Sequence, residues 1–348
     1  MAKTICFFNN KGGVGKTTTS TNIAAGLAQR YRKKVLYIDL DPQCNSTLLI
    51  TGEDYVAEKY WEHPETSRTI LNIVEPILDD EPSINFKPEY ILEYAKYANR
   101  FGVDLIMGHP RLSAIEDRLG EAWVKVPGGE VGALRKTNWC NNLVASVGDK
   151  YDYILIDLGP SLGALNRSAL IASDYFVTPM SIDIFSIIGL KNIKSWLEDW
   201  SEKYLRGLSY FVMKRPEDCS RFKIKQKIDI QSGCLGYTTQ TYASRKNKNG
   251  EKRPTQAYER ILNQFDAEFV ANLGEFLIPS CREGNHILGE IPNMFSLAPI
   301  AQSNSSPIRD LKGNDGIFGA HYSQAKEYAE LFDKVAERLI YRIEGQQQ

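Results

Sequence analysis

Apolar positions along this chain follow two rhythms. Short runs rich in β-branched and aromatic residues recur at Thr4–Asn9, Val35–Leu40, Asp104–Met107, Tyr153–Asp157, Tyr175–Pro179, Leu235–Tyr242 and Ile287–Ile291. Several of these runs are continuously apolar rather than alternating, as expected for strands buried on both faces. Longer stretches with apolar residues every three or four positions, such as Thr17–Tyr31, Ile187–Lys203 and Ser323–Ile343, predict helices. Strands alternating with helices predict an α/β fold, a mostly parallel twisted sheet with helices on both faces.

The pattern weakens in two places. Residues 52–103 are mixed and aromatic with helical patches, and residues 205–232 and 245–256 are rich in Lys and Arg. No linker composition and no repeat separates the parts, so the expectation is one domain over residues 1–348 with insertions at about 52–103 and 205–232. The first strand begins too early for a DNA-reading module ahead of it. Its apolar stretch Ile5–Phe8 is too short for a secretory signal, and no run approaches the length of a membrane span. A soluble, cytoplasmic protein is expected.

Composition narrows the chemistry. The formal net charge is −1, so binding to a polyanion needs a local patch. The six cysteines, at 6, 44, 140, 219, 234 and 281, form no Cys-x-x-Cys pair and read as reduced thiols. His63, His109, His286 and His321 are scattered, without transition-metal spacing.

The strongest signal follows the first strand: Lys11-Gly12-Gly13-Val14-Gly15-Lys16-Thr17-Thr18. Glycines let the backbone curl so that successive N–H groups face phosphate oxygens, and the helix beginning near Thr17 adds its positive N-terminal end. Lys16 is placed to neutralise β- and γ-phosphates, and the Thr17 hydroxyl to ligate Mg²⁺. Asn10 stands where the standard pattern has its first glycine. Asp157 ends an apolar strand and is placed to orient the same metal. Asp39 ends the second strand likewise, with a place in the metal's outer shell. Asp39 and Asp41, in Ile38-Asp39-Leu40-Asp41-Pro42-Gln43, have turn capping as their alternative.

These motifs resemble those of the ParA/MinD family of P-loop ATPases, most of all its ParA-type partition members. The early Lys11 carries the likeness, together with the Asp39–Gln43 segment, the Tyr151–Asp157 strand, Leu112–Glu116 and the stretch from Ile291-Pro292 to Pro307-Ile308. The similarity runs from about residue 2 to 343. In Gly159-Pro160-Ser161-Leu162-Gly163 the sequence departs from the family, which usually carries two prolines there.

The resemblance implies an ATPase using ATP and Mg²⁺, with Lys11, Lys16 and Asp41 as catalytic residues. Lys11 reaches the partner's phosphates across a sandwich homodimer, and Asp41 positions the attacking water. Pro292 lines the adenine pocket, and Gln240 stands near the place of a base-reading side chain. Binding of DNA without sequence preference in the ATP state is also implied, with association to the nucleoid and a ParB-like activating partner. Candidate phosphate contacts are Lys223, Lys225 and Lys227, which alternate with Arg221 as if on one face of an extended segment, and Arg245 with Lys246, near Lys248, Lys252 and Arg253.

Three other assignments share the loop. A regulatory or defence-system ATPase would use the same switch with a different partner. A MinD-like protein would need an extra terminal amphipathic helix, whereas the stripe from Ala325 to Ile343 reads as core packing, so no membrane contact is expected. An iron–sulfur carrier would need paired interface cysteines.

Overall fold

The computed structural model describes residues 2–241, 245–246, 252–253 and 256–345. Its sheet has seven strands: β1 (Lys3–Phe7), β2 (Val35–Leu40), β3 (Asp104–Ile106), β4 (Tyr153–Leu158), β5 (Tyr175–Ser181), β6 (Cys234–Thr241) and β9 (Ile287–Pro292). The order is β3-β2-β4-β1-β5-β6-β9, and every neighbouring pair is parallel. All seven expected strands are present, with ends shifted by one or two residues. Phe8 and Asn9 leave the first strand for the loop, and Tyr242 lies outside the described residues.

Side-chain chemistry explains the layers. Every residue of β2 and β4 is buried, so these strands need apolar side chains on both faces. From β1 the chain crosses leftward past β4 to β2 and then β3, whereas the connections from β3 to β4, β4 to β5, β5 to β6 and β6 to β9 all run rightward. Right-handed crossovers in opposite directions place their helices on opposite faces. One face carries the helix Lys16–Ala25, which packs against Ala320–Glu344; the other carries Ser113–Lys125, Trp139–Val147, Ala164–Ala172 and Ile184–Lys214. The direction reverses between β1 and β4. Their carboxyl ends therefore open a crevice, the place where ligands bind in sheets of this kind.

The weakly patterned stretches have definite structure. Residues 52–103 include the helix Ile70–Leu78, and Leu92 bridges Leu105 on the outer side of β3, covering an open sheet edge. The helix expected over Ile187–Lys203 runs from Ile184 to Lys214, through the start of the 205–232 stretch. Its buried face includes Leu197, Trp200, Tyr204, Leu208 and Phe211, which continue the apolar stripe beyond residue 203.

The remaining part of that stretch corrects an expectation. Arg221, Lys223, Lys225 and Lys227 do not share one face of an extended segment: Asp218–Arg221 is helical and Lys223 has φ 49°. Ile224, Ile228 and Ile230 are buried and anchor the segment. Asn138 accepts from the Lys225 N–H, and the Tyr204 hydroxyl donates to the Lys225 carbonyl, which satisfies this backbone without a sheet partner. The Lys225 ammonium lies between Asp229 at 2.9 Å and Asp174 at 3.7 Å, already neutralised.

Arg245 and Lys246 form a short strand, β7 (Arg245–Lys246), antiparallel to β8 (Lys252–Arg253), in register Arg245 to Arg253 and Lys246 to Lys252. This ribbon follows the carboxyl end of β6. Lys248 lies outside the described residues.

Candidate functional site

The loop after β1 is held from its neighbour. The Phe8 N–H donates to Val177 on β5, and the buried Asn9 amide donates to the Pro179 carbonyl at 2.6 Å. The Asn9 side-chain oxygen in turn accepts from the Lys11 N–H. Gly13 and Gly15 have φ of 71° and 76°, a left-handed conformation that β-carbon-bearing residues rarely adopt. Gly15 has a second constraint, because a β-carbon there would sit 3.1 Å from the Gln240 side-chain oxygen. Gln240 thus lies against the phosphate loop.

The helix Lys16–Ala25 starts from Gly15 without a side-chain cap, so its first N–H groups face the crevice. Lys16 is 7% exposed. Burial pulls its pKa down, and the charges of Asp157 and Asp41 oppose that effect. The Thr17 hydroxyl donates to Asp157 Oδ2 at 2.8 Å, while Asp157 Oδ1 is buried without a partner. Burial, reinforced by the Asp39 charge, pushes the Asp157 carboxyl up to about 7. An orphaned carboxylate oxygen beside a hydroxyl is a donor set that fits a hard, oxygen-seeking ion such as Mg²⁺. Among the described residues no cluster of three His, Cys, Asp or Glu could hold a metal by itself, so phosphate oxygens and water would have to complete that shell.

Asp39 pairs in register with Asp157 across β2 and β4. Its Oδ2 accepts from both the N–H and the hydroxyl of Thr47, and its Oδ1 accepts from the Asp41 N–H. Both oxygens are engaged, so Asp39 staples the loop to the helix Asn45–Thr51 rather than presenting an open metal ligand. Burial pushes its carboxyl up to about 6, against those hydrogen bonds. Asp41 Oδ1 accepts from the Gln43 N–H, and Asp41 lines the crevice.

The crevice holds about 440 Å³. Its floor is Gly12, Gly13, Gly15, Lys16, Thr17 and Thr18, and the opposite wall is Ala298, Pro299, Ala301 and Gln302. Pro292 is not in that wall. It closes β9 beside Thr241, and the helix Leu297–Ser303 supplies the apolar surface in its place. Val14 is buried beneath the loop. A larger cavity of about 630 Å³ borders Lys3, Thr4 and Tyr175 at the amino ends of β1 and β5, away from this chemistry.

Lys11 sits at the rim, 35% exposed, and its ammonium contacts Asp183 Oδ2 at 2.5 Å. Asp183 also caps the helix Ile184–Lys214 by accepting from the Ser186 N–H. Burial raises the Asp183 carboxyl, but the contacts with Lys11 and Ser186 together outweigh it and leave the group below its ordinary range. Next to this pair, Ile184, Phe185 and Ile188 are 51%, 71% and 49% exposed. Asn9, Thr47 and Asp183 were not singled out from sequence, and the stretch holding Leu297–Ser303 was noted there without a place in the crevice wall. Each acts through a contact with a distant segment that no local pattern reports.

A glycine loop between β1 and a helix, facing an aspartate at the end of the adjacent strand, defines a P-loop nucleotide-binding fold. The AAA_31 family model, an AAA domain, matches residues 2–209. The chain belongs to that family, within the ParA/MinD group of P-loop proteins.

It is 32% identical over 194 residues to the virulence plasmid ParA family protein pGP5-D of Chlamydia psittaci, covering 56% of this chain and 62% of that one. The chain spans about three fifths of the length of the first curated relatives it matches. The crystal structure of protein DIP2308 from Corynebacterium diphtheriae superposes with a TM-score of 0.73 at 29% identity, covering 98% of each chain. A putative plasmid partition protein of Borrelia burgdorferi, bound to AMPPNP, superposes with a TM-score of 0.56 at 19% identity over 98% of this chain and 100% of that one. This second likeness shows the fold alone.

Proposed function

We propose that the chain is a Mg-ATP-dependent switch that closes into a homodimer on ATP and, in that state, holds DNA without sequence preference. The observation that carries this is the Thr17–Asp157 contact beside buried Lys16, at the reversal point of the sheet. ATP would lie with its phosphates over Gly12–Thr18 and its base toward Pro299 and Gln302. Thr17 and Asp157 would hold Mg²⁺, which when bound offsets charge on the phosphate oxygens. Lys16 balances the β- and γ-phosphates, and Asp41 orients the water that displaces ADP from the γ-phosphoryl group. AMPPNP in the Borrelia burgdorferi neighbour is consistent with this ligand class.

Dimerisation is supported by Lys11 at the rim and by the apolar residues Ile184, Phe185 and Ile188 exposed beside it. A second copy would cover that surface, and Lys11 would exchange Asp183 for the partner's phosphates. For DNA, the ribbon Arg245–Lys246 with Lys252–Arg253 is the better candidate than the Lys223–Lys227 segment. It follows the carboxyl end of β6 along the chain, and all four of its residues are basic, the composition that a polyanion backbone favours. An activating partner of the ParB kind would then trigger hydrolysis and release.

Sedimentation of Asp41→Ala with ATP, with ADP and without nucleotide tests the switch. A dimer only with ATP supports it, and a monomer at saturating ATP contradicts it. A regulatory or defence-system role would keep the dimer and lose the DNA.

A further inference from the structure

Gly159 directly follows Leu158, the last residue of β4, and it is buried. A β-carbon on it would stand 3.2 Å from Asp41 Oδ1 and 3.5 Å from the Asp41 carboxyl carbon. Its backbone is not among those in the left-handed region, so the constraint on this glycine is the neighbouring carboxylate and not its own φ. The Gly159 carbonyl is gripped twice, by the Ser161 N–H and by the amide of buried Asn166 at 2.9 Å, and the same amide also donates to the Ser161 carbonyl at 2.8 Å. The helix carrying Asn166, Ala164–Ala172, is itself held by Glu116, whose carboxylate accepts from the Ala164 and Leu165 N–H groups.

We infer that Gly159 and Asn166 are positioning residues for ATP hydrolysis: the bare α-carbon of Gly159, fixed by Asn166, seats the Asp41 carboxylate where it orients the attacking water. This rests on the ATPase assignment above, with Asp41 as the water-orienting group. A methyl group at 159 would move that carboxylate by a few tenths of an ångström. The three atoms nearest to it belong to Asp41 and Pro42, and none to the phosphate loop, Lys16 or the Leu297–Ser303 wall. Misplacement on this scale costs turnover and not affinity, on the order of tenfold.

Turnover and ATP affinity are to be measured for wild type, Gly159→Ala, Asn166→Ala, Asp41→Asn and the double variant Gly159→Ala/Asp41→Asn, with single-turnover assays for the slow ones. Gly159→Ala is expected to lower kcat about tenfold with KM and ATP affinity within about twofold, and Asn166→Ala to show the same split. In the Asp41→Asn background Gly159→Ala should add almost nothing, since both act through one carboxylate. Retained ATP affinity shows that the variants are folded. Wild-type kcat in Gly159→Ala, or the same additional loss in the Asp41→Asn background, overturns the inference while wild-type turnover and its loss in Asp41→Asn leave the ATPase assignment standing. Absence of turnover in wild type overturns both.

Discussion

The Lys11 ammonium and the Asp183 carboxylate, 172 residues apart, form an ion pair at the rim of the nucleotide crevice, and Asp183 is at the same time the cap of a 31-residue helix. In the isolated chain the lysine is therefore occupied in cis. If it acts on a partner's phosphates, the pair must open first. Asp183→Asn removes the charge but keeps an oxygen to accept the Ser186 N–H, so the cap survives. Because both side chains are about a third exposed, the pair is worth about 1 kcal/mol or less. Asp183→Asn should therefore dimerise with ATP at roughly two- to fivefold lower protein concentration by sedimentation equilibrium. Weaker ATP-dependent association would show that Asp183 serves the dimer and does not restrain it.

Asp157 makes stability depend on pH. Its folded pKa of about 7 lies above the ordinary 3.8, so the folded chain holds the proton more tightly than the unfolded chain. The sign follows: this contribution to stability is fully present below about pH 4 and is lost as pH rises through about 7. Asp157→Asn should therefore be more stable than wild type without ligand at pH 8, by one to several kcal/mol on the scale of about 1.4 kcal/mol per unit. The advantage should shrink toward pH 5. Mg-ATP should reverse the order at pH 8, stabilising wild type more than the variant. Thermal melts at pH 5, 6, 7 and 8 with and without Mg-ATP would read both effects.

The seven strands and the crevice were legible because parallel strands buried on both faces must be apolar throughout, and because a phosphate loop needs its glycines, lysine and threonine in fixed order. What the sequence hid were pairings between distant segments. Lys223, Lys225 and Lys227 alternate as a strand would, yet Asn138 and Tyr204 satisfy the Lys225 backbone and Asp174 and Asp229 take its charge. Nor does the sequence around Asp39 report that Thr47, on the helix that follows the loop, donates twice to its Oδ2. Pro292 ends β9 without lining the crevice, because the chain turns after β9 and lays the helix Leu297–Ser303 along it.

The basic segments should therefore separate in a DNA-binding assay. Replacing Arg245, Lys246, Lys252 and Arg253 by glutamine should lower ATP-dependent retention of random duplex DNA by at least about tenfold and flatten its salt dependence. Lys223→Gln and Lys227→Gln together should change it less than about twofold, since Lys227 already pairs with Asp229. Equal losses from both sets would place the DNA across both segments. No loss from the ribbon set would remove DNA as its ligand.

Gly15 joins two constraints at one atom. Gly15→Ala must adopt φ near 76° and push aside Gln240, so it should abolish measurable nucleotide binding. The fold should survive, because the loop is anchored independently by Asn9. Circular dichroism with a fluorescent ATP analogue would check this, and normal analogue binding would show that the loop rearranges.

The most direct measurement is ATP hydrolysis and ATP affinity of wild type beside Lys16→Ala at saturating Mg²⁺. The site predicts slow but measurable phosphate release by wild type. It also predicts ATP affinity at least about a hundredfold weaker in Lys16→Ala, since one buried charge then no longer faces the β- and γ-phosphates. Wild-type affinity and turnover in Lys16→Ala would contradict the assignment of this crevice as the nucleotide site.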